Sequence, residues 1–149
     1  GYHGDSSRTF CVGKVSHQAQ RLIECTKKCL DLGIAVVKDG AYVGDIGHVI
    51  QTYAEKMGYS VVREFVGHGI GKTFHEDPQI LHYGNPTSGH KLTKGMVFTI
   101  EPMLNEKDYR CEVLSDGWTA VTMDRKLSAQ FEHTVAIRND GSVEILTQP

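Results

Sequence analysis

Two stretches of this chain repeat their apolar residues every three to four positions, and several later ones alternate with a period of two. Ala19, Leu22, Ile23, Thr26, Leu30 and Gly33 recur at helical spacing, with Arg21, Lys27 and Lys28 on the opposite face. Ser16 offers a capping side chain before them, and Gly33 reads as the stop. A second helix is predicted from Val43 to Met57, with Ile46, Val49, Ile50, Tyr53 and Met57 as its buried stripe and Gly58 as its end. Residues 8–12 and 60–65 read as short strands. Gly67, Gly69 and Gly71 predict a sharp bend around His68, and residues 72–95 read as loop. The second half is strand-rich, at 96–101, 110–114, 118–123, 129–138 and 142–146, with Asn139-Asp140-Gly141 as the hairpin turn between the last two. Two helices followed by antiparallel strands place the chain in the α+β class.

Composition narrows the function classes. A length of 149 residues suits one domain, and 40% hydrophobic with 23% charged residues is ordinary for a globular protein. The net charge of −2 is built from interspersed signs. No basic tract calls for nucleic acid, and no apolar run approaches the roughly 18 residues that span a bilayer. Cys11, Cys25, Cys29 and Cys111 form no Cys-x-x-Cys pair. Cys25 and Cys29 stand at i,i+4, but thiolate sites usually gather four soft ligands. All four are expected to be free thiols, and with no leader-like segment at Gly1 they predict a cytoplasmic protein.

The chemistry concentrates in four residues. Asp5 closes Gly-Tyr-His-Gly-Asp, and His68 lies in Gly-His-Gly-Ile-Gly. Glu101 ends the apolar run Met96-Val97-Phe98-Thr99-Ile100, and Glu132 stands between Phe131 and Thr134-Val135-Ala136-Ile137. Asp5 alone could be a turn residue and His68 alone a satisfied core group. A carboxylate inside an apolar strand is harder to explain, because its burial is costly without a cation. Together, one imidazole and three carboxylates form a mostly oxygen donor set that suits a divalent Mn, Fe, Co or Zn ion and hydrolytic chemistry.

Four stretches carry a family resemblance: Gly-Tyr-His-Gly-Asp-Ser-Ser-Arg-Thr-Phe, Gly-His-Gly-Ile-Gly-Lys-Thr-Phe-His-Glu, Gly-Met-Val-Phe-Thr-Ile-Glu-Pro-Met and Leu-Ser-Ala-Gln-Phe-Glu-His-Thr. Over essentially the whole chain the sequence resembles the methionine aminopeptidases. The short interval between Glu101 and Glu132 is similar to type I members, where type II members carry a helical insertion. The resemblance implies the pita-bread (creatinase/aminopeptidase-like) fold, mainly its C-terminal half, with two helices packed on an antiparallel sheet. It implies metal-dependent removal of the N-terminal methionine from nascent peptides, two divalent ions (Co, Mn, Fe or Zn) per complete site, contact with the ribosome, and a monomer when full length. Asp5 and Glu132 match bridging metal ligands, and His68 and Glu101 match terminal ligands of one metal. His75 matches the histidine that stabilises the tetrahedral intermediate, and Glu101 would pass a proton to the leaving amine. Phe74, His75, Met103, Trp118 and Gln130 match positions at the substrate, where aromatic and thioether groups suit a methionine side chain. His3, His17, His48, His82 and His90 read as surface or supporting residues, and His133, on the opposite strand face from Glu132, as packing.

The family also carries a further aspartate about a dozen residues upstream of the Asp5 turn, an upstream histidine, and an amino-terminal half. None of these occurs in the 149 residues, and the chain opens without an initiator methionine. Residues 1–149 are therefore expected to be the C-terminal portion of a catalytic metallopeptidase domain, holding the ligand set of one metal. As an isolated half it would have an exposed sheet edge, one weakly held ion and poor activity. Two rival functions stand beside the leading one: a proline-specific aminopeptidase or dipeptidase of the same fold, against which Ala-Gln-Phe-Glu-His-Thr argues, and a catalytically impaired binding module.

Overall fold

The structure, a computed structural model, describes residues 1–148. Helix α1 (His17–Ala35) begins where expected: the Ser16 hydroxyl accepts from the Ala19 N–H at 3.1 Å. It does not stop at Gly33. A side chain there would sit 2.8 Å from Ile50 Cδ1 and 3.3 Å from Ile100 Cγ2, so this glycine is a close-packing position inside the helix. Helix α2 (Val43–Lys56) is anchored by the Tyr42 N–H, which donates to Asp45 Oδ2 at 2.8 Å. Beyond its end Gly58 takes φ +85°, a conformation that suits glycine. Ile46, Ile50 and Ala54 form the buried stripe of α2, while Met57, expected within it, is half-exposed.

Strand β9 (Ser128–Ile137) organises the sheet. On one side it pairs antiparallel with β5 (Val97–Ile100) and β6 (Met103–Asn105), and on the other with β1 (Ser7–Arg8) and β10 (Val143–Ile145). The sequence reading missed β6, a three-residue strand just past Pro102. Ile100 lies opposite His133 and Met103 opposite Gln130, so β5 and β6 keep one continuous register broken only at Glu101 and Pro102. Glu101 therefore stands across from Glu132.

Strand β3 (Gly67–Gly69) pairs with β5 and with β4 (Glu76–Ile80), where a bend and a loop were expected. The glycines serve close approach of neighbouring strands. A side chain on Gly67 would lie 2.5 Å from the Thr99 carbonyl oxygen, and one on Gly69 2.3 Å from that of Asp77. Pro78 is tolerated because β4 ends the strand order. Strand β2 (Ser60–Val61) pairs with β6, and β7 (Cys111–Val113) with β8 (Ala120–Thr122) makes a separate two-stranded ribbon. The expected hairpin turn at Asn139-Asp140-Gly141 is present, with Gly141 at φ +88° and the Arg138 N–H donating to the Ser142 carbonyl at 2.8 Å.

Alternation along β9 divides the molecule. Ala129, Phe131, Val135 and Ile137 point into a core shared with Leu22, Leu30, Ile46, Ile50, Phe98, Ile100 and Leu104. Each large aliphatic side chain buried there contributes about 1.5–3 kcal/mol before entropy is counted. Gln130, Glu132 and Thr134 take the other face. Among the described residues no helix is long and apolar enough to cross a membrane.

Gly67→Ala should force β3 away from β5 and lower stability by about 1–3 kcal/mol, read as a fall in the urea midpoint. Gly1→Ala, whose added methyl meets nothing within 4 Å, should leave that midpoint unchanged.

Candidate metal centre

The break in the ladder at Glu101 and Pro102 opens one face of the sheet, and four side chains converge there. His68 comes from β3, with its N–H donating to Thr99 Oγ1 at 3.0 Å. Its Nδ1 lies 2.9 Å from the Gly69 carbonyl oxygen. A carbonyl can only accept, so the ring proton is assigned to Nδ1 and the Nε2 lone pair is free. That Nε2 faces Asp5 Oδ2 at 3.8 Å and Glu101 Oε1 at 3.7 Å.

Asp5 is fixed through its main chain. Its N–H donates to Thr134 Oγ1 at 2.9 Å, and the same hydroxyl donates to the Asp5 carbonyl at 2.8 Å. Thr99 Oγ1 donates to Glu101 Oε1 at 2.8 Å, and Gln130 Nε2 reaches Glu101 Oε2 at 3.4 Å. Glu132 is 5% exposed, and its Oε1 has no hydrogen-bond partner. Donor atoms of Asp5, His68 and Glu132 all lie within 4.8 Å of one another.

Electrostatics match the crowding. Burial, with the nearby Asp5 charge, pushes Glu101 up to about 7, although the Thr99 hydrogen bond and His75 pull the other way. Burial, then the charges of Glu101 and Asp5, pushes Glu132 up to about 8. A buried carboxylate oxygen without a donor, beside a free imidazole lone pair and a second acid, fits a divalent cation, which would reverse both shifts.

The remaining predicted residues distribute unevenly. His75 packs edge-on against His68 with ring centroids 4.3 Å apart, and Phe74 lies 4.7 Å from His75 and 5.8 Å from His68. Asp5, His68, His75 and Glu101 line one cleft with Phe65 and Val66. Met103 stands opposite Gln130, whose amide touches Glu101. Trp118 is 89% exposed beyond β7 and is not among the cleft residues. His133 turns to the helix side, where Nδ1 meets Thr147 Oγ1 at 2.9 Å. The four cysteines are free thiols.

Two supporting residues escaped the sequence reading. Thr99 and Thr134 stand two positions from Glu101 and Glu132, on the same strand faces, a spacing that period-two alternation could have flagged. His82, grouped with the surface or supporting histidines, is 1% exposed, and its Nε2 accepts the Glu101 N–H at 3.0 Å. Burial holds its pKa down at about 3, so the ring is neutral.

The chain is similar to known proteins in sequence and in fold. The chain is 60% identical to methionine aminopeptidase A of Synechocystis over 99% of its own length and 58% of that protein. The crystal structure of methionine aminopeptidase from Rickettsia prowazekii superposes with a TM-score of 0.95 at 50% identity, over 99% of this chain and 59% of that one. Prolidase from Pyrococcus furiosus, at 22% identity and a TM-score of 0.74 over 99% of this chain and 38% of that one, shares the fold alone. The chain thus spans somewhat over half the length of the methionine aminopeptidases it matches. The profile of metallopeptidase family M24 matches residues 1–139, and with the fold and the relatives in agreement this chain belongs to that family.

Proposed function

We propose that this protein removes N-terminal methionine from peptides by metal-assisted hydrolysis. The observation that carries the reading is the pair of part-buried Glu101 and buried Glu132, facing each other across the strand break beside the free Nε2 of His68. The methionine aminopeptidases among the relatives support the choice of substrate. Asp5, His68, Glu101 and Glu132 would hold a divalent ion, and Mn, Fe, Co and Zn all suit one imidazole with three carboxylates. Such an ion, when bound, supplies the Lewis acidity that makes water a nucleophile near neutral pH.

The residues of the chain supply the rest. Glu101 would take a proton from the nucleophile and give it to the leaving amine. His75, beside His68 at the cleft, would donate to the charge that develops on the scissile carbonyl oxygen. Phe74, Met103 and Gln130 would contact the methionine side chain, a thioether suited to aromatic neighbours. Trp118 stays in this set on the resemblance alone. Free thiols support a reducing compartment, the cytoplasm, where nascent chains at the ribosome present such peptides to a monomeric enzyme.

As part of a chain of its relatives' length, the purified protein should hydrolyse Met-Ala-Ser and spare Ala-Pro peptides. A chelator should abolish turnover, and added Mn²⁺ should restore it. Preference for Ala-Pro would transfer the assignment to the proline-specific branch. His75→Ala should lower kcat about 10²–10³-fold with the metal still bound, checked by steady-state kinetics and metal analysis on one sample.

The raised carboxyls also couple the site to stability. Unfolded, Glu101 and Glu132 titrate near 4.5; folded and metal-free, they titrate near about 7 and about 8. Between these values the folded chain holds protons that the unfolded chain has lost, so stability falls as pH rises. His82 acts in the opposite sense, but its contribution is complete above its unfolded value of 6.5. The thermal midpoint of the metal-free protein should therefore fall between about pH 6.5 and 8.5, a window set by those values. Saturating Mn²⁺ should remove this fall, and calorimetry at three pH values checks both.

A further inference from the structure

His82 is buried, neutral and unused by the chemistry above, yet it makes a direct contact with a candidate metal ligand. The ladder between β5 and β9 breaks after Ile100, and Pro102 has no N–H to offer. The Glu101 N–H at the break donates to His82 Nε2 at 3.0 Å. An N–H withdrawn from water at this break and left without an acceptor would be destabilising, and the imidazole removes that deficit.

Helix α2 determines where the ring stands. A side chain on Gly47 would lie 2.8 Å from the Leu81 carbonyl oxygen and 2.4 Å from that of Tyr83. With only hydrogen at 47, the backbone on both sides of His82 rests directly on the helix. One turn further along α2, Gln51 Oε1 accepts the Gly84 N–H at 3.0 Å and holds the same segment. Residues 81–84 are thus seated on a rigid element, with the imidazole turned toward the sheet.

We infer that His82 is a positioning residue for Glu101: α2 seats residues 81–84, the ring accepts the Glu101 N–H, and the carboxylate is thereby aimed at His68 and Glu132. Thr99 and Gln130 hold the two carboxylate oxygens, and His82 holds the main chain that carries them. The inference rests on the proposed ligand role of Glu101.

Two polar variants of one class test it. In His82→Gln the amide oxygen reaches as far as Nε2; in His82→Asn it ends near the level of Nδ1. On the purified protein, His82→Asn should weaken Mn²⁺ binding by about tenfold or more, and His82→Gln far less, by titration calorimetry at fixed pH. kcat on Met-Ala-Ser should fall in the same order with KM unchanged, which a general loss of packing would not produce. Equal Mn²⁺ affinity in the two variants, both folded, would overturn the inference while leaving the metal site standing. If the unmutated protein takes up no Mn²⁺, the ligand reading fails and this inference with it. Should His82→Asn not fold, Gly47→Ala displaces the same segment with the ring intact and should show the same loss, while unaltered Mn²⁺ affinity there would overturn the inference.

Discussion

Three carboxylates gathered at one place repel each other, and holding them there is the constraint on which the rest of the site depends. Glu101 and Glu132 are removed from water as well, so each is driven toward its protonated form by burial before any neighbour acts. A relaxed chain would turn these side chains to solvent. Here the backbone prevents it: the register of β5 and β6 on β9 sets the two glutamates opposite each other, and the β1 pairing brings the Asp5 turn alongside. Threonine hydroxyls then fix Asp5 and Glu101 without adding charge. The sheet stores the arrangement that a divalent cation would relieve.

The same strand serves stability and chemistry without conflict because alternation keeps them on opposite faces. Phe131, Val135 and Ile137 belong to the core beneath the helices, and Gln130, Glu132 and Thr134 to the opposite face, beside Asp5 and Glu101. A one-residue slip of β9 would exchange the two sets, burying carboxylate among the helices and exposing the core. Four neighbouring strands fasten that register, which is why the longest strand of the sheet is also the least free to shift.

What could be read from the sequence was what local chemistry determines. The Ser16 cap, the α2 stripe through Ile46 and Ile50, and the Asn139-Asp140-Gly141 turn depend on neighbours within a few residues, and they were legible. Glu101 and Glu132 stood out because charge inside apolar strands is an anomaly that periodicity exposes. What was missed depends on distant partners. Gly33 looks like a helix stop until Ile50 is known to press on it, and Gly67 and Gly69 look like a bend until the Thr99 and Asp77 backbones are in place. Strand β6 is too short to show a period, and β4, carrying Pro78, becomes a strand only through its pairing with β3. His82 carries no local sign of burial, because its partner lies 19 residues away.

The hydrogen bonds between Asp5 and Thr134 close a span of 129 residues, nearly the whole chain. Contacts so distant form late, since the entropy of closing the loop must be met before they return anything. During synthesis Asp5 emerges before His68, Glu101, Glu132 and Thr134, and its neighbours at the site exist only after those residues follow. A molecule whose helices have already condensed on a partial sheet would still lack the geometry that gathers cations. Metal uptake at the proposed site would thus follow long-range closure, and a bound ion would mark a molecule in which Asp5 and Thr134 have met.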